Sequence, residues 1–146
     1  MYPEQRICEY DWTLELYTTM SRACYNCPTN EEDCFRQNCI PANGYTRTVE
    51  VVNRMLPGPT IQVCLGDIIV VNIDNSLRSE RVSSIHWHGI FQKGTPQMDG
   101  VEAVTQCPIA PHSSFKYVFQ ANNAGTHMWH AHAGAQRSVN INFAFI

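Results

Sequence analysis

Two His-x-His pairs, His86-Trp87-His88 and His130-Ala131-His132, hold four of the six histidines in this 146-residue chain. Successive side chains of a β-strand point to opposite faces, so residues two apart share a face. Each pair therefore projects two imidazoles from one side of its strand, roughly 6–7 Å apart along the backbone. If the two strands are neighbours, four imidazoles converge on one patch. Neutral imidazole is a good ligand for copper and zinc, so the chemistry this spacing points to is metal binding. Small residues follow each pair, Gly89 after the first and Ala133-Gly134 after the second.

The donor set narrows the metal. A hydrolytic zinc site uses three protein ligands, a water and a carboxylate base close by, and no Asp or Glu lies within either pair. Zinc hydrolases that use a His-x-His on a parallel α/β barrel need a much longer chain than this one. Imidazole-only ligation suits copper in both of its oxidation states and leaves open positions for O2.

The elements that must position these histidines are strands. The apolar rhythm has period two rather than 3.6, and strands are expected over 12–16, 48–53, 60–64, 68–73, 84–88, 114–119, 126–132 and 141–146. Turn chemistry separates them at Pro57-Gly58-Pro59, Gly66-Asp67, Gly94-Thr95-Pro96, Asp99-Gly100 and Asn122 to Gly125. No segment has a convincing helical pattern. Short strands with turns about every ten residues imply an all-β sandwich or barrel. In such a fold Trp87 and Ala131 lie on the face opposite the imidazoles, and Trp87 is expected in the core.

Composition sets the class. Hydrophobic residues make up 44% and charged residues 16%, with a net charge of −3. That is a globular balance with no electrostatic case for nucleic acid. No run approaches the roughly 18–20 apolar residues of a membrane-spanning helix. Seven cysteines point to an oxidising, extracellular setting, although Met1 to Arg6 has no apolar signal-peptide core. Cys24, Cys27, Cys34 and Cys39 cluster and read as disulfides in a stapled loop; a zinc knuckle is the other reading. Cys8, Cys64 and Cys107 stand apart. Because seven is odd, at least one thiol has no partner within the chain, which suggests a missing piece.

A larger set of residues resembles a known family. Asn53 to Pro59, His86-Trp87-His88-Gly89-Ile90-Phe91-Gln92, Met98-Asp99-Gly100-Val101, Val104 to Ile109 and Gly125 to His132 resemble the first cupredoxin domain of the multicopper oxidases, most closely the insect laccase-like group. The resemblance covers about residues 8–137. It implies a cupredoxin-like Greek-key β-sandwich or barrel over 46–146, the first (plastocyanin-like) domain, preceded by a Cys-rich N-terminal extension over 1–45 that holds the first strand and the disulfide loop.

The resemblance also implies an activity: oxidation of phenols or diphenols with reduction of O2 to water at a trinuclear copper cluster. His86 then looks like the type 2 copper ligand, and His88, His130 and His132 like type 3 ligands, with His132 serving the second ion of that pair. Four further histidines and the type 1 copper site would lie in a C-terminal cupredoxin domain. No downstream His-x4-Met follows Cys8, Cys64 or Cys107 to build a type 1 site here, so the isolated chain is expected to be inactive, a fragment or short form. The alternative is a secreted, non-enzymatic copper-binding module.

Several residues carry two readings. Asp99 is either a turn residue before Gly100 or a carboxylate that orients an imidazole and relays protons. Cys107 is either a crosslink to the C-terminal part or a buried free thiol. His112 and His127 read as non-ligating, and Met98 and Met128 as packing. After Arg137 the chain departs from the family, lacking the glycines of an expected Asp-Gly-Leu-x-Gly turn.

Overall fold

The computed structural model describes residues 4–78, 81–134, 136 and 142–145. Within them seven strands form two sheets: β1 (Ile7–Thr18), β2 (Thr48–Val52), β3 (Ile68–Asn75), β4 (Ile85–His88), β5 (Ser114–Gln120), β6 (Met128–Ala131) and β7 (Asn142–Phe145). The larger sheet has the order β2-β1-β3-β5, with β1 parallel to β3 and the other pairs antiparallel; the smaller is β4-β6-β7. Among the described residues there is no α-helix; short 3-10 segments lie at Arg22–Cys24, Glu31–Phe35 and Pro96–Met98. No helix there is long and apolar enough to cross a membrane.

Period two explains the core. On β1 the even positions Trp12 and Leu14 are buried, while Tyr10 and Leu16 are partly buried against the same cluster. From the smaller sheet come Ile85, Trp87, Trp129 and Ala131, and from β3 and β5 come Ile69, Val71, Ile73, Tyr117 and Phe119. The aromatic centre is continuous: Trp12 lies 4.4 Å from Trp129 and 5.8 Å from Trp87, which in turn lies 4.9 Å from Phe119, centroid to centroid. Trp87 and Trp129 are both fully buried, so each His-bearing strand is anchored by a large apolar side chain on its inner face.

The 1–45 stretch enters this architecture directly, because β1 is an internal strand between β2 and β3. Between β1 and β2 the chain makes an excursion closed by Cys24–Cys39 and Cys27–Cys34. All four clustered cysteines are thus consumed in disulfides, which sets aside the zinc-knuckle reading. Ile40 of this excursion packs on Val49 and Val51. That outer cover is why β2 is buried on both faces. Glu50, on the inner face, is buried and paired with Arg81, as an interior carboxylate requires.

Two expectations are corrected. Residues 60–64 form no strand, although Ile61 is fully buried and its neighbours are exposed. The alternation records burial, not pairing; Pro57 and Pro59 precede the segment and a turn closes it, leaving an extended link without a ladder. Cys107 is exposed, which removes the buried-thiol reading. The expected last strand is present as β7, while 138–141 and Ile146, where the chain departs from the family pattern, lie outside the described residues.

Candidate metal centre

β4 and β6 are antiparallel neighbours, and their register places His86 directly opposite His130, Trp87 opposite Trp129, and His88 opposite Met128. Directly opposed residues on one face of such a pair have side chains in contact range. Trp87 and Trp129 point into the core, so strand alternation turns His86, His88 and His130 to the other face. His132 sits one residue past the end of β6, and its backbone N–H donates to the Ser84 carbonyl at 2.9 Å, which extends the pairing.

The rings converge. His86 lies 5.5 Å from His88, 5.4 Å from His130 and 5.6 Å from His132; His130 lies 5.9 Å from both His88 and His132. His86, His88 and His130 each offer a ligand atom, all within 4.8 Å of one another. His132 stands outside that threesome. The site grades from interior to surface: His130 is buried, His86 intermediate, and His88 and His132 exposed. His130 and His132 share a small recess with Ala131 and Gly134.

Tautomers are fixed by main-chain carbonyls. His86 Nδ1 lies 2.7 Å from the Asp99 carbonyl oxygen, and His130 Nδ1 lies 2.9 Å from the Ala131 carbonyl oxygen. A carbonyl only accepts, so Nδ1 carries the hydrogen in each ring and the lone pair is on Nε2. This is the usual way a protein aims a ligating imidazole. Asp99 thus acts on His86 through its backbone; its carboxylate Oδ1 is 3.5 Å from the same nitrogen, beyond a good hydrogen bond.

The Asp99-Gly100 turn is held hard against β4. A Cβ built on Gly100 would lie 1.7 Å from the Ile85 carbonyl oxygen, and Gly100 has φ +82. Only glycine fits a left-handed residue whose α-carbon faces a strand backbone at that distance. The same contact delivers the Asp99 carbonyl to His86. Tyr117, not singled out from sequence, braces the strand from the core: its hydroxyl accepts the Ile85 N–H at 3.0 Å. Burial pushes the Tyr117 phenol well above its usual range, keeping it neutral.

The remaining residues stay out of the centre. His127 Nε2 lies 3.1 Å from the Asn123 side-chain nitrogen, and His112 is in a turn with its N–H on the Asn75 carbonyl. Met98 packs on the core.

A family model described as multicopper oxidase matches residues 34–145. Laccase-1 of Cryptococcus neoformans var. grubii is 53% identical over 108 residues, covering 72% of this chain and 17% of that protein. L-ascorbate oxidase of Cucumis sativus is 48% identical over 90 residues, covering 62% of this chain and 15% of that protein. The laccase from Botrytis aclada superposes with a TM-score of 0.75 at 33% identity, covering 94% of this chain and 22% of that one. Fet3p, a multicopper oxidase that functions in iron import, gives 0.73 at 30% identity over 94% of this chain and 22% of its own.

The chain belongs to the multicopper oxidase family. Its fold is the cupredoxin-like β-sandwich of those solved oxidases; the family implies copper, and the histidine cluster is a group that could hold a metal ion. The chain spans about a sixth of the length of the curated relatives named above.

Proposed function

We propose that this chain supplies one half of the ligands of a trinuclear copper cluster in a laccase-like oxidase, which oxidises phenols or diphenols and reduces O2 to water. The observation that carries the reading is the cross-strand threesome His86, His88 and His130, with ligand atoms within 4.8 Å of one another. An all-imidazole donor set fits copper. In this reading His86 holds the type 2 ion, His88 and His130 hold one type 3 ion, and His132, displaced from the threesome, holds the other.

Bound copper supplies one-electron transfer steps that, summed over the cluster, reach the four-electron reduction of O2. The chain's own contribution is positional. The Asp99 carbonyl fixes the His86 ring and its tautomer. Trp87 and Trp129 make the inner side of both strands dry and rigid. The Asp99 carboxylate, partly exposed beside His86 Nδ1, is placed to exchange a proton with solvent at Oδ1.

The division at residue 46 belongs to the same proposal, with 46–146 carrying the metal ligands and 1–45 contributing β1 and the disulfide loop. A C-terminal cupredoxin domain of the whole protein would hold the other ligands and the type 1 copper. Two disulfides support a secreted protein.

Oxygen uptake tests the reading. The copper-loaded 146-residue chain is expected to show no sustained uptake with a diphenol, because four imidazoles leave each of three ions only one or two protein ligands. The full-length gene product is expected to consume O2 faster with a diphenol than with ascorbate. The reverse ranking would favour an ascorbate-oxidase activity. Sustained turnover by the short chain, or none by the copper-loaded full-length product with either substrate, would overturn the proposal.

A further inference from the structure

Three cysteines remain outside the two disulfides: Cys8, Cys64 and Cys107. Two of them meet at one carboxylate. Cys8 lies on β1 with Ile69 of β3 as its register partner, on the same inward face as Trp12 and Leu14. Cys64 opens the turn into β3, where the Asp67 N–H donates to the Cys64 carbonyl at 3.1 Å. Asp67 Oδ2 accepts the Cys64 backbone N–H at 2.9 Å and the Cys8 thiol at 3.7 Å. Asp67 Oδ1 accepts the Arg6 N–H at 3.1 Å. The side chain of Asp67 thus clamps the start of β1 to the turn that carries Cys64, and it is itself buried.

We propose that Cys8 and Cys64 form a third disulfide, joining the start of β1 to the turn that opens β3. The pairing is independent of the copper reading. It accounts for six of the seven cysteines and leaves exposed Cys107 as the single odd thiol.

The oxidant is a small-molecule disulfide such as oxidised glutathione. Exposed Cys64 initiates: its thiolate attacks one sulfur, the small disulfide bond breaks, and one small thiol leaves. The Cys8 sulfur then attacks the Cys64 sulfur of the mixed disulfide and releases the second small thiol. Two S–H bonds are lost and one S–S bond is gained; both electrons and both protons leave on the two small thiols. Cys8 is the poorer initiator, because burial and the neighbouring Asp67 carboxylate raise its thiol above the ordinary range. A crosslink between residues so far apart in sequence restricts the unfolded chain.

Peptide mapping tests the pairing. The full 146-residue chain is incubated with oxidised glutathione, alkylated under denaturing, non-reducing conditions, digested and analysed by mass spectrometry. One cysteine outside any intrachain bond, Cys107, either alkylated or carrying glutathione, and one peptide pair joined through Cys8 and Cys64 are expected. In Cys107→Ser, which leaves the pair intact, the oxidised chain is expected to take up no alkylating agent. In Cys64→Ser, Cys8 is expected to become alkylatable or to carry glutathione. Alkylation of both Cys8 and Cys64 in the oxidised chain, separate glutathione adducts on the two, or protection of Cys8 in Cys64→Ser would overturn the proposal.

Discussion

Gly100→Ala is expected to destabilise the chain by about 2–5 kcal/mol and to weaken copper binding at the same time. An L-residue in a left-handed conformation costs roughly 1–2 kcal/mol, and overpacking adds about 1–3 kcal/mol. The second contribution is unavoidable here, because the added Cβ would sit 1.7 Å from the Ile85 carbonyl oxygen, and strand backbone does not give way as a flexible side chain does. Relief requires the turn to lift off β4, which carries the Asp99 carbonyl away from His86 Nδ1. Losing the group that orients a ligating imidazole typically costs about 10–100-fold in metal affinity. Gly44→Ala is the control: Gly44 also has φ +82, but nothing lies within 4 Å of its added Cβ. Urea unfolding at neutral pH should show Gly44→Ala paying the backbone cost alone. Equal costs for the two substitutions, or unchanged copper affinity in Gly100→Ala, would contradict this account of the turn.

Trp87→Ala is expected to be similarly severe, for a different reason. The side chain is fully buried and touches the rings of Trp12, Tyr117 and Phe119 at centroid distances of 5.8, 5.2 and 4.9 Å. Truncating a core aromatic of this size costs about 3–5 kcal/mol, a large part of the roughly 5–15 kcal/mol by which such domains are stable. Because Trp87 lies between His86 and His88, loosening it also frees both imidazoles. Trp87→Phe isolates packing from hydrogen bonding: among the described residues the indole nitrogen has no hydrogen-bond partner, so no bond is lost and the cost should fall well below that of Ala. Denaturant midpoints of the three proteins check the order wild type, Phe, Ala. A Phe variant as unstable as the Ala variant would show that the indole makes an interaction the packing does not account for.

What the sequence makes legible is what short-range chemistry encodes. The two-residue spacing of the histidines determines that each pair shares a face, and the alternation around it sends Trp87 and Ala131 inward, where both are buried. The approach of His86 to His130 needed one further fact, the pairing of β4 with β6, which no local pattern contains. For the same reason β1 reads as a strand but not as an internal strand parallel to β3. Residues 60–64 mislead because an extended link with one buried isoleucine shows the alternation of a paired strand. The carbonyl of Asp99 and the hydroxyl of Tyr117 stayed hidden for another reason. A backbone oxygen has no residue signature, and a tyrosine in an alternating strand looks like any other core aromatic. Reading Asp99 as a carboxylate located the right residue beside His86, while the hydrogen bond itself is made by its main chain.

The most direct test is pulsed electron paramagnetic resonance on the 146-residue chain titrated with Cu(II), with the wild type set beside His86→Ala, His88→Ala, His130→Ala and the control His112→Ala. Imidazole-nitrogen couplings from more than one ring are expected in wild type and in His112→Ala. Each of the other three variants should lose coupled nitrogens and bind at least about tenfold more weakly. Nitrogen couplings and affinity that survive in all three of those variants would place the copper elsewhere and contradict the shared imidazole face of β4 and β6.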